Sequence, residues 1–379
     1  MTNRILYWTS RFWPHIGGVE VLGLHLIPVL QSQGMQVQVV TSHSGLDLPD
    51  EAEINGIPIR RFHFLTSLTH RDLGQMAQAR RELASLKHSF QPDLVHLHFS
   101  GPESLFHWQT QSAHPAPTLM TIHAIPNELQ AQNSLLAQTL RRSTWITTVS
   151  TVMLERLRQL VTEIERRSSV IYNGVASPAE YATPLSVDPP VFLCVGRLVS
   201  WKGFDVAVDA FAKVLPLFPQ ARLIIAGDGP ARADLEAQVE ALQITAAVNF
   251  LGWVQPEDVP GWINQCSAVL IPSRQDENLP IVAIQAAQMA RPVIASRVSG
   301  LPEIVLDRVT GLLIEPDQPQ ALANAMIDLS RRQEAAHHLG VANQAFAAQH
   351  FNLQQCATAY HALYQRLIAA AVHQGAEDA

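Results

Sequence analysis

Two short runs in the second half of the chain carry the residue types needed to hold a diphosphate. Gly196-Arg197-Leu198 closes the apolar run Val191 to Val195, and Lys202-Gly203 follows just before a helical pattern that starts near Phe204. Glycine lets a backbone approach a ligand closely. Arg197 can fork onto phosphate oxygens, and Lys202 adds a compact charge. A helix start adds directed N–H groups. Glu277 stands in a polar loop before Leu279-Pro280-Ile281 and another helical pattern. A carboxylate there can accept hydrogen bonds from sugar hydroxyls. The N–H groups of Asn278, Leu279 and Ile281, near a helix start, suit sugar or phosphate oxygens. In the first half, His123 closes the strand-like run Leu119 to His123. Each feature has a plainer reading taken alone: solvated charges in an ordinary loop, or a structural histidine at a strand end. His96 and His98 share one face of a strand by their period of two. No third metal ligand is evident beside them, so they are expected to pack in a core or cleft.

These groups need elements to position them. Strand-like and helix-like segments alternate along the chain, which predicts an α/β fold with parallel sheets. In the first half the strands are Ile5 to Trp8, Val37 to Thr41, Leu94 to His98, Leu119 to His123, Trp145 to Val149 and Val170 to Tyr172. Helices are expected over Val19 to Gln33 and Leu73 to Phe90. Residues 177–190 hold Pro178, Pro184, Pro189 and Pro190 with no periodic apolar face, which reads as an interdomain linker. A second series follows: strands over Val191 to Val195, Arg222 to Ala226, Val248 to Phe250, Ala268 to Ile271 and Val293 to Ala295. Helices are expected over Val206 to Leu217, Ala231 to Leu242 and Ile281 to Met289, with a helical end from Gln318 to Ala371. The expected domains are therefore 1–176 and 191–351. Two such domains would face a cleft, and ligands of open α/β sheets bind beyond the carboxyl ends of strands.

The 379 residues are 47% apolar, enough for two cores, and the net charge of −7 argues against a dedicated nucleic-acid binder. That charge is uneven: residues 1–175 carry a net +1 and residues 176–379 a net −8. The first half is thus the one suited to an anionic acceptor or surface. Cys194, Cys266 and Cys356 lie far apart in sequence and form no metal or redox spacing. Reduced, buried thiols in a cytoplasmic protein are expected. The chain starts without a signal-peptide pattern, and its apolar-rich run Val19 to Leu30 is too short and too polar to span a bilayer. Val19, Leu22, Leu26 and Leu30, with Arg60-Arg61 and Arg141-Arg142, leave a peripheral membrane contact open beside the default of core packing.

The order of motifs from Pro272 to Gly311 resembles the nucleotide-sugar site of retaining glycosyltransferases of family 4, which have the GT-B fold of two Rossmann-like domains facing a cleft. Pro-Ser-Arg-Gln-Asp-Glu-Asn-Leu-Pro is followed by Arg-Pro-Val-Ile-Ala-Ser, Gly-Leu-Pro-Glu-Ile-Val and Thr-Gly-Leu-Leu-Ile. The resemblance covers roughly residues 3–371. It implies that Arg197 and Lys202 bind the donor diphosphate and stabilise the leaving group without a metal. It implies that Glu277 faces the donor sugar, with His123 near it. Gly17 and Gly18 would approach the diphosphate and acceptor. Gly196, Gly229, Val254, Asn278, Leu279, Pro280 and Ile281 would line the donor, and Ser150 would lie on the acceptor side. The last helix, around residues 352–371, would return to the first domain.

Three positions depart from the family pattern. The second glutamate of the family's pair falls on Gln285, where it would hold the ribose. Glutamine keeps an acceptor and two donors but loses the charge, worth on the order of 1–2 kcal/mol per hydrogen bond. Ala290 stands where glycine is usual before x-Pro-Val, which would affect turn geometry. Ala176 replaces the aspartate after Asn-Gly-Val. The leading expectation is hexosyl transfer from a UDP- or GDP-sugar to an acceptor hydroxyl, with no cofactor and no metal. A GT-B protein that binds nucleotide-sugar or glycan but turns over poorly is the alternative, and an epimerase is a weaker third.

Overall fold

The computed structural model describes residues 2–15, 17–99, 101–125, 134–178 and 182–377. Pro126 of the expected His123 motif and residues 179–181 of the expected linker lie outside the described residues. The chain forms two compact units, Met1–Gly174 with Leu353–Ala379, and Val175–Asn352.

The first unit is built on eight strands: β1 (Arg4–Trp8), β2 (Gln36–Ser42), β3 (Glu51–Ile54), β4 (Ile57–Phe62), β5 (Leu94–Leu97), β6 (Thr118–Ile122), β7 (Trp145–Thr148) and β8 (Ser168–Val170). Their order is β3-β4-β2-β1-β5-β6-β7-β8, and every pair is parallel except β3 with β4. The sequence reading lacked β3 and β4. Their signal was present: Asn55-Gly56 joins them with both residues at positive φ, 52° and 75°, the pairing that a tight hairpin turn requires.

Strand β1 is buried from Ile5 to Trp8, as a central parallel strand covered on both faces must be. The helix Gly18–Ser32 buries Leu22, Leu26, Ile27 and Leu30 against it. The helix Leu353–Glu377 adds Cys356, Ala357, Tyr360, Leu363, Tyr364 and Leu367 to the same cluster. The apolar stripe considered for a membrane is therefore core. The nearby cations are also engaged. Arg61 is buried and donates to the carbonyls of Pro49 and Trp13. Arg60 pairs with Glu51, Arg141 with Glu163, and Arg142 lies 4.3 Å from the Trp108 ring centre. Among the described residues no helix is long and apolar enough to cross a membrane.

The second unit carries β9 (Val191–Val195), β10 (Arg222–Ala226), β11 (Val248–Gly252), β12 (Ala268–Ile271), β13 (Val293–Ser296) and β14 (Gly311–Ile314). All are parallel, in the order β11-β10-β9-β12-β13-β14. In both sheets the winding reverses beside the first strand, at β1/β5 and at β9/β12, which makes the ends of those strands the natural ligand sites.

The proline-rich segment expected as a linker belongs to this second unit. Leu185 and Val187 enter its core. Arg291 is 1% exposed, and its guanidinium spends its donors on neutral acceptors: the carbonyls of Cys266, Thr183, Met289 and Asn264, and the Thr183 hydroxyl. Full satisfaction is what allows an arginine to be buried without a carboxylate. Cys194, Cys266 and Cys356 are free thiols, all buried.

Ala290 sits just past the helix Ile281–Gln288 at φ 52°. That left-handed position ends helices and favours glycine, because a Cβ there crowds the backbone. Ala290→Gly is expected to stabilise the protein by about 1 kcal/mol, read as a higher urea midpoint at unchanged slope. An unchanged or lowered midpoint contradicts this.

Candidate functional site

The strand ends of the second unit assemble three loops. After β9, Gly196 has φ 148° and Gly203 φ 68°. A Cβ on Gly203 would lie 2.0 Å from the carbonyl oxygen of Pro272, which follows β12. A Cβ on Gly229, after β10, would lie 2.4 Å from the carbonyl oxygen of Leu198. No side chain fits either place. Gly229 is thus explained by loop-on-loop packing, and a donor contact is not needed to account for it.

This packing brings Lys202 to Glu277 across 75 residues of sequence. The Lys202 Nζ lies 2.5 Å from Glu277 Oε2, and the Ser273 hydroxyl donates to the same oxygen at 2.8 Å. Glu277 is buried and its main-chain oxygen accepts from Gly300 N at 3.2 Å. The Lys202 ammonium also lies 4.7 Å from the Trp201 ring centre. Arg274 braces the loop from outside. It forks onto Asp205 at 2.8 and 2.6 Å, reaches Asp317 at 2.6 Å, and donates to the Ser200 carbonyl. Ser273, Arg274 and Asp205 were not singled out from sequence, although the first two lie inside the run Pro-Ser-Arg-Gln-Asp-Glu. Arg197 is exposed one residue past Gly196.

Leu279 and Pro280 are buried and Asn278 is half-buried at the start of the helix Ile281–Gln288, where no side chain caps the first turn. Ile281 opens that helix, and Gln285 is half-buried one turn further on. Val254, half-buried, follows β11 next to the exposed Trp253.

In the first unit, Gly17 precedes the helix Gly18–Ser32, and Gly18 is its first residue. A Cβ on Gly17 would come within 2.5 Å of Glu20 Oε2, so the Glu20 carboxylate folds back over the helix start. Burial raises the pKa of Glu20 above the usual carboxylate range. Ser150 is fully buried and caps the helix Thr151–Leu160 by accepting from Met153 N at 3.3 Å. Its hydroxyl serves that helix start.

His123 follows β6 directly, and strands β5 and β6 set it beside His98 at 3.1 Å from Nε2 to Nδ1. His98 Nε2 lies 3.0 Å from His96 Nδ1, and His96 meets the Tyr364 hydroxyl at 2.6 Å and Thr121 at 2.7 Å. The third histidine missing from the sequence reading is therefore His123, but the rings form a hydrogen-bonded line and do not converge on one point. Burial pushes all three histidines down, His123 to about 4.

Among the described residues, one other group has the types and spacing for a cation: His43, Asp50 and His63. The His43 Nε2 lies 2.9 Å from Asp50, but the two imidazoles stack at 4.2 Å and 12°.

Two family models match the chain: Glycosyltransferase Family 4 over residues 16–177, and Glycosyl transferases group 1 over residues 180–346. The chain belongs to the group 1 glycosyltransferases of the GT-B class. It is 25% identical to an uncharacterized glycosyltransferase, MJ1178, of Methanocaldococcus jannaschii, over 94% of this chain and 97% of that protein. Among solved structures it resembles sucrose-phosphate synthase from Thermosynechococcus elongatus, with a TM-score of 0.84 at 23% identity, covering 97% of this chain and all of that one. It also resembles Anabaena HepE in complex with UDP, with a TM-score of 0.79 at 21% identity, covering 96% of this chain and all of that one.

The buried histidines give the fold a pH limit. Unfolded imidazoles take up protons as pH falls through about 6.5; the folded ones resist until lower pH, about 4 for His123. The unfolded state binds more protons across that window, so stability falls as pH falls. Urea midpoints are expected to be level above pH 7 and to drop progressively from about 6.5 to 5. A level midpoint across that interval contradicts the buried, neutral assignment.

Proposed function

We propose that the chain is a retaining, metal-independent hexosyltransferase that moves a sugar from a UDP- or GDP-sugar to an acceptor hydroxyl. The observation that carries this reading is the joined set of strand-end loops that holds Lys202 against Glu277 and presents Arg197 beside Gly196. A diphosphate leaving group needs fixed positive charge as it departs, and Arg197 and Lys202 supply it. Glu277 then meets the sugar hydroxyls, and the helix start at Asn278 to Ile281 offers N–H groups to the same ligand. The family resemblance assigns His123 to the donor sugar. In this scheme the diphosphate oxygen takes the acceptor proton, and the protein's task is positioning and charge stabilisation. The UDP bound by HepE and the nucleotide-sugar chemistry of the group support a nucleotide donor. The acceptor is a hydroxyl of a glycan, a lipid-linked sugar or a small molecule.

One residue favours a second reading. Gln285 stands where the family has its ribose-binding glutamate, and an amide lacks the charge assistance of a carboxylate. A protein that holds the donor and turns it over poorly would fit. Gln285→Glu separates the two: a large activation marks a weakened enzyme, and inertness with intact donor binding marks a binding protein.

The transferase reading expects Arg197→Ala to lower kcat by about 100-fold or more with an unchanged unfolding midpoint, since its side chain is exposed. Lys202→Ala should lose turnover similarly and also lower the midpoint, because it leaves the buried Glu277 without its cation. Turnover near wild type in both variants, measured as nucleotide release with an accepting glycan, would overturn the assignment.

A further inference from the structure

Strands β2 and β4 bring two histidines together at one end of the first sheet. The strands are parallel neighbours, and their register ends with Ser42 beside Phe62. His43 and His63 are the next residues, and His43 N donates to the Phe62 carbonyl at 3.2 Å. Parallel strands lie about 4.8 Å apart, so side chains leaving matched positions meet face to face, as these two rings do at 4.2 Å. Strand β3 runs antiparallel to β4, with Glu51 opposite Arg60. Its start therefore lies at the same end of the sheet, where Arg61 N donates to the Asp50 carbonyl at 2.7 Å. There Asp50 Oδ1 meets His43 Nε2 at 2.9 Å. One ligand atom from each of His43, Asp50 and His63 falls within 4.8 Å of the others.

The surrounding cations leave this carboxylate to the histidines. Arg60 pairs with Glu51, and the buried Arg61 directs its guanidinium to the carbonyls of Pro49 and Trp13. Among the described residues the ion-pair partner of Asp50 is His43. The His43 side chain is 4% exposed and the Asp50 side chain 76%, and His63 is exposed. One ring is thus anchored in the fold, and two ligands stand open to solvent. Imidazole nitrogen suits zinc and its neighbours, whereas magnesium and calcium take oxygen ligands. Three protein ligands with water in the fourth place make a complete zinc shell, its ligand atoms roughly 3.3 Å apart. The His43–Asp50 pair is already near that spacing. The exposed His63 reaches it by turning its ring out of the stack.

We propose that His43, Asp50 and His63 form a binding site for one divalent cation of the zinc class. The ion takes the place of the hydrogen bond between His43 and Asp50. It ties the ends of β2 and β4 to the start of β3, and so closes the segment 43–50 at both ends. The site lies wholly in the first unit. It is independent of the transferase reading, in which Arg197 and Lys202 of the second unit carry the diphosphate charge.

The test is calorimetric titration of the full, untagged chain, stripped of metal with EDTA and dialysed, with zinc chloride and separately with magnesium chloride. No nucleotide is present. Wild type is expected to bind one zinc ion per chain and to gain thermal midpoint from it, and magnesium should do neither. His63→Ala and Asp50→Asn should each weaken zinc binding by about tenfold or more. Both side chains are exposed, and asparagine keeps an oxygen acceptor towards His43, so both variants are expected to fold. His337→Ala, at an exposed histidine of the helix Gln333–His350, should bind zinc as wild type does, which separates the site from scattered surface histidines. Cobalt bound in place of zinc should show the visible bands of a four-coordinate site. A smaller loss in either His63→Ala or Asp50→Asn overturns the proposal, as does a wild type that binds no zinc.

Discussion

Backbone lying on backbone is the constraint from which the second unit's site follows. At Gly203 the main chain passes so close to Pro272 that a methyl group would sit 2.0 Å from its carbonyl oxygen. Gly227 is similarly tight against Gly196, at 1.9 Å. These contacts join the loops after β9, β10 and β12 into one surface. Only then does Lys202 reach Glu277, and only then does Ser273 share the load on the same carboxylate oxygen. The ion pair is a consequence of the glycines, and its place near the β9/β12 reversal of the sheet follows from the winding rule for parallel strands.

The first unit solves a different problem. Its central strands carry histidines into a dry interior, where a charged imidazole is costly. The rings stay neutral by passing hydrogen bonds along the line from Tyr364 to His123. The returning helix Leu353–Glu377 is therefore more than a cover for apolar surface. It supplies Cys356, Tyr360 and Tyr364 to the core, and the last of these meets His96 at 2.6 Å.

Much of this was legible in the chain. Parallel βα alternation gave most of the strands because most are short runs rich in apolar and β-branched residues, set between helical patterns. Arg197 and Lys202 stood out because charge next to glycine at a strand end has few structural uses, and Glu277 because it stands in a polar loop before a helix start. The hairpin β3–β4 escaped because its strands are short and charged, although Asn55-Gly56 announced its turn. Residues 177–190 read as a linker because they hold four prolines and no periodic apolar face, yet Leu185, Val187 and the Arg291 clamp bind residues 182–190 to the second unit. The capping role of Ser150 was not legible, because local sequence does not distinguish a helix cap from a polar site residue. The histidine line was out of reach, since it joins residues 96, 98, 123 and 364, and periodicity reports only the first two.

The central claim is that the strand-end loops of the second unit hold a nucleoside diphosphate sugar without a metal. Thermal unfolding with UDP, GDP, ADP and their common sugar conjugates, with and without EDTA, tests it most directly. A ligand present at a hundred times its Kd adds about 2.7 kcal/mol to the native state, a readily measured rise in midpoint. The account predicts a selective rise with a uridine or guanosine nucleotide that EDTA leaves intact. No rise with any nucleotide, or a rise abolished by EDTA, would contradict it.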